Sequence, residues 1–503
     1  MVLFYVATIA IFLLSYLHCY FKKKLSYFDA WGIPHIPGWP IFGNIASVVF
    51  RQRYLGDLSN EIYNCDRNAK YVGLFNFMEA IIMLRDPELI KTVAVKNFEN
   101  FSEHVPFVDI TIDPIFGGSL FNLRQDVWKR SRSTLSPTFT SSKMKSMFDL
   151  IVHCAQNLVN HISQRSPEEN TKVNLKDLLT RFTNDSIAST AFGIDVDSIN
   201  QSDSEFYSIG KKATNIQGIL GIKLLSARSF PRLMRLFKIR MINEQTERFF
   251  DNVIETTVSM REKNNFTRPD MLQLMMDART DEAKKSDLSM KQITAHAFSF
   301  FFGGFDTTST QMSILAHELA INPDVQKRLQ EEIDQVVKTT NGKPSYEAIQ
   351  GMVYMDAFVN EGLRRHTQAT FIDRVCTKEI ELPPAVPGGK PFVVKPGQVI
   401  WIPAASIHLD PKYYDDPLKF DPQRFIDKKL NINDPYFMSF GIGPRGCIGY
   451  RLAILNIKVM LFFLLAKFNL VPNEKTCNPI VYDPKGVFIV PVGGYCIDIV
   501  PKN

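Results

Sequence analysis

The longest uninterrupted apolar run is the first: Val2 to Tyr20 is nearly all hydrophobic before the chain turns basic at Lys22, Lys23 and Lys24. Roughly 20 residues rising about 1.5 Å each cross a hydrocarbon layer of about 30 Å, so the run predicts a membrane-spanning helix. It lacks a basic leading region and a small-residue cleavage site, which favours a retained anchor over a removable signal. The lysines that follow place the remainder on the cytoplasmic side. Trp31 to Asn44 then holds three prolines and three glycines, a stiff elbow that forbids continued helix. Short, partly β-branched runs from Tyr71 to Leu84 predict a small sheet, and Val105 to Phe121 is apolar without helical period, as a loop lining an apolar pocket is. Phe139 to Met260 is mostly helical in pattern, with a loop at 198–204. Within it, Ile219 to Leu236 mixes aliphatic residues with Lys223, Arg228, Arg232 and Arg235 and can lie on a membrane surface. Arg261 to Lys291 is charged and reads as a surface connection. A long helix is predicted from Ser289, capped by Gln292, to Asn322-Pro323. Ile380 to Ile402 reads as a small β region, and Ile448 to Leu465 as a helix.

The totals change this picture little. A chain of 503 residues with 45% hydrophobic content buries a large core, and a formal charge of +6 is too mild to argue for nucleic acid. Seven scattered cysteines form no CxxC pair, which argues against a disulfide framework and against a zinc site, and indicates a reducing compartment.

One of those cysteines carries the chemistry. Phe440 to Gly449 reads Phe-Gly-Ile-Gly-Pro-Arg-Gly-Cys-Ile-Gly, a glycine-rich loop that delivers Cys447 to the start of the last apolar helix. Unpaired N–H groups and the helix dipole there favour a thiolate, which could ligate a metal. Gly441, Gly443 and Gly446 allow close approach to a flat ligand. In the long helix, Phe301 to Thr308 (Phe-Phe-Gly-Gly-Phe-Asp-Thr-Thr) places two glycines and two threonines where helix formers are expected. Ser299, Gly303 and Thr307 share one face of it. Trp128 and Arg132, four apart, can converge on one anion.

The spacing Phe-x-x-Gly-x-Arg-x-Cys-x-Gly resembles the haem-binding signature of the cytochrome P450 superfamily, and the resemblance extends from Trp31 to the C-terminus. It implies a mainly α fold with a small β region, preceded by one N-terminal transmembrane helix. Residues 1–21 are then the anchor, 22–44 a basic flank and proline-rich hinge, and 45–503 one haem-thiolate catalytic domain. Cys447 becomes the iron ligand, with Phe440, Gly441 and Gly303 against the haem and Trp128, Arg132, Arg374 and Arg445 on its propionates. Asp306 and Thr307 become the proton-delivering pair. Glu361, Arg364 and Arg424, from Glu-Gly-Leu-Arg and Pro-Gln-Arg-Phe, become a structural brace, and His408 is structural. Phe107, Val108, Phe116, Ser299, Phe302, Gly303, Ala369, Thr370, Phe371, Val487 and Phe488 become the substrate pocket. Thr367, Ser439 and Asn456 depart from the usual pattern, the first two each replacing a proline.

The resemblance implies a microsomal monooxygenase on the cytoplasmic face of the endoplasmic reticulum membrane. It inserts one atom of O2 into a lipophilic xenobiotic, terpenoid or steroid. Its cofactor is heme b, and electrons arrive from NADPH through cytochrome P450 reductase, with cytochrome b5 as a further partner. Lys129, Arg130, Lys143 and Lys145 could dock the reductase. A haem-thiolate isomerase or dehydratase, and a non-catalytic haem- or lipid-binding membrane protein, are the alternatives; the retained Asp306-Thr307 pair argues against the isomerase. The topology has a direct check in the sequons at Asn100, Asn184, Asn200 and Asn265: none is glycosylated in cells if the body is cytoplasmic, and glycan on any reverses the orientation.

Overall fold

The computed structural model describes residues 1–166, 168, 174–201, 203–216, 219–280, 288–426, 431, 433–485 and 489–502. Two compact units emerge. The first comprises Met1–Val105, Ala369–Asp415 and Ile432–Gly446; the second comprises Pro106–Gln368, Asp416–Asn431 and Cys447–Asn503.

In the first unit, helix α1 (Val2–Leu25) buries none of its residues and is long and apolar enough to cross a membrane. It runs on through Lys22 to Lys24, where cations at a helix C-terminus meet the negative end of the dipole. The proline-rich segment after it is more than an elbow. His35 bridges Gly73 and Gly43 bridges Asn76, while the Asn44 side chain accepts from Phe75 N at 2.7 Å and donates to Ile36 O at 3.0 Å. Gly43 sits at φ 61°, and a Cβ there would lie 2.3 Å from Phe75 O, so no other residue fits. The segment is a strap bound to a sheet edge.

That sheet is four-stranded, in the order β1 (Tyr71–Asn76), β2 (Glu79–Leu84), β6 (Val399–Ile402), β3 (Ile372–Val375). β1 and β2 form an antiparallel hairpin with Tyr71 opposite Leu84; β2 runs parallel to β6 with Ile82 opposite Ile400, and β3 returns antiparallel with Arg374 opposite Ile400. β4 (Ile380–Leu382) and β5 (Phe392–Val394) make a separate hairpin. Helix α2 (Leu55–Tyr63) contributes Leu58 and Ile62 to the same hydrophobic core as Phe28, Phe75, Leu84 and Ile400.

The second unit is helical apart from the antiparallel pair β7 (Phe468–Pro472) and β8 (Ile497–Pro501). In chain order its principal helices are α3 (Gln125–Leu135), α4 (Ser141–Gln164), α5 (Leu175–Ile187), α6 (Ile219–Ser229), α7 (Pro231–Leu236), α8 (Glu244–Asn264), α9 (Met271–Thr280), α10 (Met290–Ile321), α11 (Val353–Arg365) and α12 (Tyr450–Lys467). The axis is α10, 32 residues long. It opens on the expected capping box, with Ser289 Oγ accepting from Gln292 N and the Gln292 side chain accepting from Ser289 N, and it stops at Asn322 before Pro323. The apolar face of α6 and α7 stays exposed at Ile219, Ile222, Leu233 and Leu236.

Three expectations need correction. Arg261 to Lys291 is no mere surface connection: α8 continues to Asn264, and α9 buries Met271, Leu272 and Met275. Arg261 pairs with Asp270 at 2.5 Å, the two side chains only 1% and 0% exposed. Opposite charges that neutralise each other inside the fold look like solvated charge in the sequence. Residues 105–121 contain one short helical turn, Pro114–Gly117, capped by buried Asp113, whose other oxygen accepts from Met241 N and Ile242 N. Asn184 is 0% exposed, so its sequon is no acceptor in the folded protein.

Arg261→Ala, which leaves Asp270 buried and unpaired, lowers the unfolding free energy by about 3–5 kcal/mol, whereas Arg261→Met with Asp270→Leu retains most of it. Denaturant unfolding of the two variants beside wild type measures the difference.

Candidate functional site

α10 is buried from Ile293 to Ser299 and again from Thr308 to Ala320, and between these runs it opens at Phe300, Phe302, Gly303, Gly304, Asp306 and Thr307. Gly303 is exposed, and a Cβ built on it meets nothing within 4 Å. Successive turns place Ser299, Gly303 and Thr307 on the same face, so the most buried helix carries an open notch at mid-length. Ser299 Oγ accepts from Leu120 N at 3.2 Å. The Thr307 hydroxyl donates to Gly303 O, which leaves its lone pairs toward the open side.

Asp306 is held from the next helix. Lys176, at the start of α5, donates to Asp306 Oδ1 at 2.8 Å, to Asp306 O at 3.2 Å and to Ser309 Oγ at 2.6 Å. Burial pushes the Lys176 ammonium below its usual range, and the Asp306 carboxylate opposes that shift. Nothing in the sequence singles out Lys176, a cation lying 130 positions before its partner.

Aromatic rings form the apolar wall. Phe116 lies 5.2 Å from both Phe302 and Phe121, Phe121 stacks on Phe302 at 5.5 Å, and Phe107 reaches Phe116 edge-on at 6.3 Å. The loop that carries Phe107 and Val108 is fastened by buried Asn122. Its amide accepts from Phe107 N at 2.8 Å and donates to Val108 O at 2.8 Å. Asn122 and Phe121 join the expected residues, whereas Val487 and Phe488 lie outside the described residues.

In the same unit Trp128 is buried on α3 and Arg132 half-buried one turn on. Cys447 is accessible, yet enough protein surrounds it that burial pushes its thiol up, against the pull of the Gly449 N–H and of Arg132. Burial therefore works against the helix-start argument for a thiolate. α12 begins only at Tyr450, and Cys447 stands two residues ahead of its N-cap, beyond the strongest part of the dipole. A cation at the sulfur is what would replace its proton.

The first unit holds Arg374, Arg445, Phe440 and Gly441. Arg374 is 0% exposed in β3, donates to Asp373 O at 2.8 Å and to Ile442 O at 2.9 Å, and leaves Nε with no partner among the described residues. Burial lowers its pKa to about 10. A guanidinium satisfied only by carbonyls calls for an anion. Arg445 Nε donates to Ser102 O at 2.8 Å. His104, which the sequence did not mark, sits 3.2 Å from Asp373 Oδ1 and within the field of both arginines. Gly441 and Gly443 take φ of 81° and 73°, and a Cβ on Gly443 would lie 2.2 Å from Ala94 O. Ala369 is half-buried; Thr370 contacts the Tyr54 hydroxyl at 3.4 Å, and Phe371 stacks on Trp401 at 3.7 Å.

In the second unit, Glu361 accepts from Arg364 at 2.7 and 2.8 Å, from Asp421 N at 2.8 Å and from Arg424 at 3.4 Å. Arg364 also donates to Pro417 O at 2.9 Å.

The cytochrome P450 family model matches residues 34–497. The chain belongs to the cytochrome P450 family. Cytochrome P450 9e2 of Blattella germanica is 40% identical over 98% of this chain and 96% of its own length. Probable cytochrome P450 9f2 of Drosophila melanogaster is 38% identical over 92% of each, and cytochrome P450 6j1 of Blattella germanica 32% identical over 97% and 96%.

As a P450 the protein is a haem-thiolate monooxygenase, and members of the family use heme b iron and receive electrons from a reductase. The residues present fit that group: an accessible cysteine with its thiol raised, a helix notch that no Cβ fills, and a buried arginine lacking an anion. Two of the three departures from the usual pattern also gain an account. Beside Thr367, His366 is clamped by Glu318 and by the Tyr482 hydroxyl, each at 2.6 Å, which stiffens the turn in place of proline. Asn456 Oδ1 accepts from Ser186 at 2.6 Å. For Ser439 no structural consequence follows.

Arg374→Met removes the buried charge that awaits an anion. It is expected to purify with less than about half the haem per chain, at unchanged helical circular dichroism, and haem content by pyridine haemochromogen measures it.

Proposed function

We propose that this P450 is a microsomal enzyme of the endoplasmic reticulum membrane, its body on the cytoplasmic face. We further propose that NADPH-cytochrome P450 reductase reduces it, with cytochrome b5 an additional donor, and that it oxidises lipophilic molecules of the xenobiotic, terpenoid or steroid kind. The observation that carries the substrate class is the wall of Phe107, Phe116, Phe121 and Phe302, the last of which stands beside Gly303 on α10. Rings at that density exclude water and reward apolar surface at roughly 25 cal/mol per Å². The exposed apolar face of Ile219–Leu236 and the lysines in the last turn of α1 support the membrane location.

Cys447 would hold the iron, and Trp128, Arg132, Arg374 and Arg445, with His104 nearby, would hold the haem carboxylates. Bound haem b supplies the redox chemistry that cleaves O2 and passes one oxygen atom to the substrate. The chain's own residues do the rest. The aromatic wall holds the substrate skeleton and keeps the site dry. Thr307, its hydroxyl proton directed to Gly303 O, presents lone pairs that can accept and relay a proton. Asp306 is the acid next in line, and Lys176 holds that carboxylate oriented. Glu361, Arg364 and Arg424 keep the segments behind the cysteine loop fixed. Lys129 and Arg130 are exposed for a reductase, whereas Lys145 is engaged by Glu347 at 2.5 Å.

The test is incorporation of labelled O2 into a lipophilic panel in the presence of NADPH and reductase. One labelled atom per product supports the reading. Haem-loaded protein that incorporates none, or that rearranges peroxides without electrons, overturns it in favour of an isomerase. Two variants sharpen the assignment. Cys447→Ala loses the thiolate-type Soret band of the reduced carbon monoxide complex. Asp306→Asn keeps that band but forms product about 10²-fold more slowly, the scale of one lost proton-transfer group.

A further inference from the structure

One turn beyond Thr307 on α10, about 6 Å along the axis, Gln311 turns toward the segment that leaves α11. Its Oε1 accepts from Gln368 Nε2 at 3.2 Å, and the two amides are left with one group each: Gln311 Nε2 and Gln368 Oε1 are both buried with no partner among the described residues. The hydroxyl of Thr367, next in the chain, is buried and unpartnered as well. Gln311 is 2% exposed, whereas Gln368 is half-buried, so the pair is approached from the Gln368 side. Exchanging O and N in both amides changes which residue donates but still leaves one free N–H and one free carbonyl.

We propose that the Gln311–Gln368 pair is a polar anchor within the substrate site and that it selects lipophilic alcohols. This rests on the monooxygenase reading for the site's purpose, but not for the binding itself. A hydroxyl accepts from an N–H and donates to a carbonyl through one uncharged oxygen atom. A ketone satisfies only the N–H, and a hydrocarbon satisfies neither and leaves both buried groups stranded. The anchor's place one helical turn from Thr307 fixes such a molecule by its oxygen and presents a carbon near that oxygen for oxidation. The aromatic wall takes the remaining skeleton.

The test uses full-length, haem-loaded protein in lipid nanodiscs and equilibrium dialysis, with no turnover. The probes are matched sets: menthol, menthone and p-menthane; cholestanol, cholestanone and cholestane; and a long-chain alcohol with its alkane. Wild type binds the alcohol of a set roughly 10- to 100-fold more tightly than the hydrocarbon, with the ketone between. Gln311→Met with Gln368→Met keeps side-chain length, removes both polar ends, and brings the ratio to near unity with hydrocarbon affinity retained. The single Gln368→Met, on the half-buried end, shifts the ratio in the same direction without touching the α10 core. Melting temperature and the thiolate spectrum establish that each variant is folded and loaded. An alcohol-to-hydrocarbon ratio unchanged by the substitutions, or no alcohol preference in wild type, or no binding of any set, overturns the proposal. Loss of oxygen incorporation with the alcohol ratio intact counts against the monooxygenase reading alone.

Discussion

α10 meets two demands that conflict. As the axis of the helical unit it must be covered on nearly all sides, and its buried run from Thr308 to Ala320 shows how fully that is achieved. As the carrier of Asp306 and Thr307 it must also leave space at one point, and close packing at interior density leaves no such space by default. Gly303 reconciles the two by having no side chain where one would otherwise fill the gap. The cost, about 1 kcal/mol for glycine in a helix interior, is doubled by Gly304, whose Cβ would press on Ile187 of α5 at 2.9 Å. One glycine makes room for chemistry, the other for a neighbouring helix. Asp306 then depends on the same close approach, since Lys176 comes from α5.

Buried charge is the second organising theme, and each instance is resolved differently. Arg261 and Asp270 neutralise each other. Glu361 gathers two arginines and a backbone N–H around one carboxylate, a geometry that offsets desolvation by saturating both oxygens. Arg374 has no carboxylate salt-bridge partner among the described residues and borrows two carbonyls. The difference separates scaffold from site: a charge whose partner lies within the fold is structural, and one left short is waiting for something.

How much of this was legible in the sequence follows from the range of each signal. The capping box at Ser289, the stop at Pro323, the small sheet from Tyr71 to Leu84 and the cysteine loop are local patterns, written within a few residues. Arg364 with Glu361 was legible as i, i+3 on one helix. Lys176, Asn122 and His104 were not, because each acquires its role from a partner distant in the chain and none departs from its neighbours in residue type. The charged stretch from Arg261 misled because a composition argument cannot tell a salt bridge from solvation. At Cys447 the sequence displays the unpaired N–H groups and the dipole that favour a thiolate, but not the burial that opposes them.

The strap at Trp31–Asn44 bears on how the enzyme stands at a membrane. Leu25 ends α1 and already packs against the first unit, and Phe28 is wholly buried in that unit's core. Only Ser26 and Tyr27 lie between, a leash of about 10 Å at full extension. A tether so short gives the sheet unit almost no freedom to lift, tumble or diffuse away from the bilayer that holds α1. Whatever dissolves in that bilayer is therefore presented to the enzyme at the concentration of a two-dimensional solvent, and its solubility in water becomes nearly irrelevant to whether it is met.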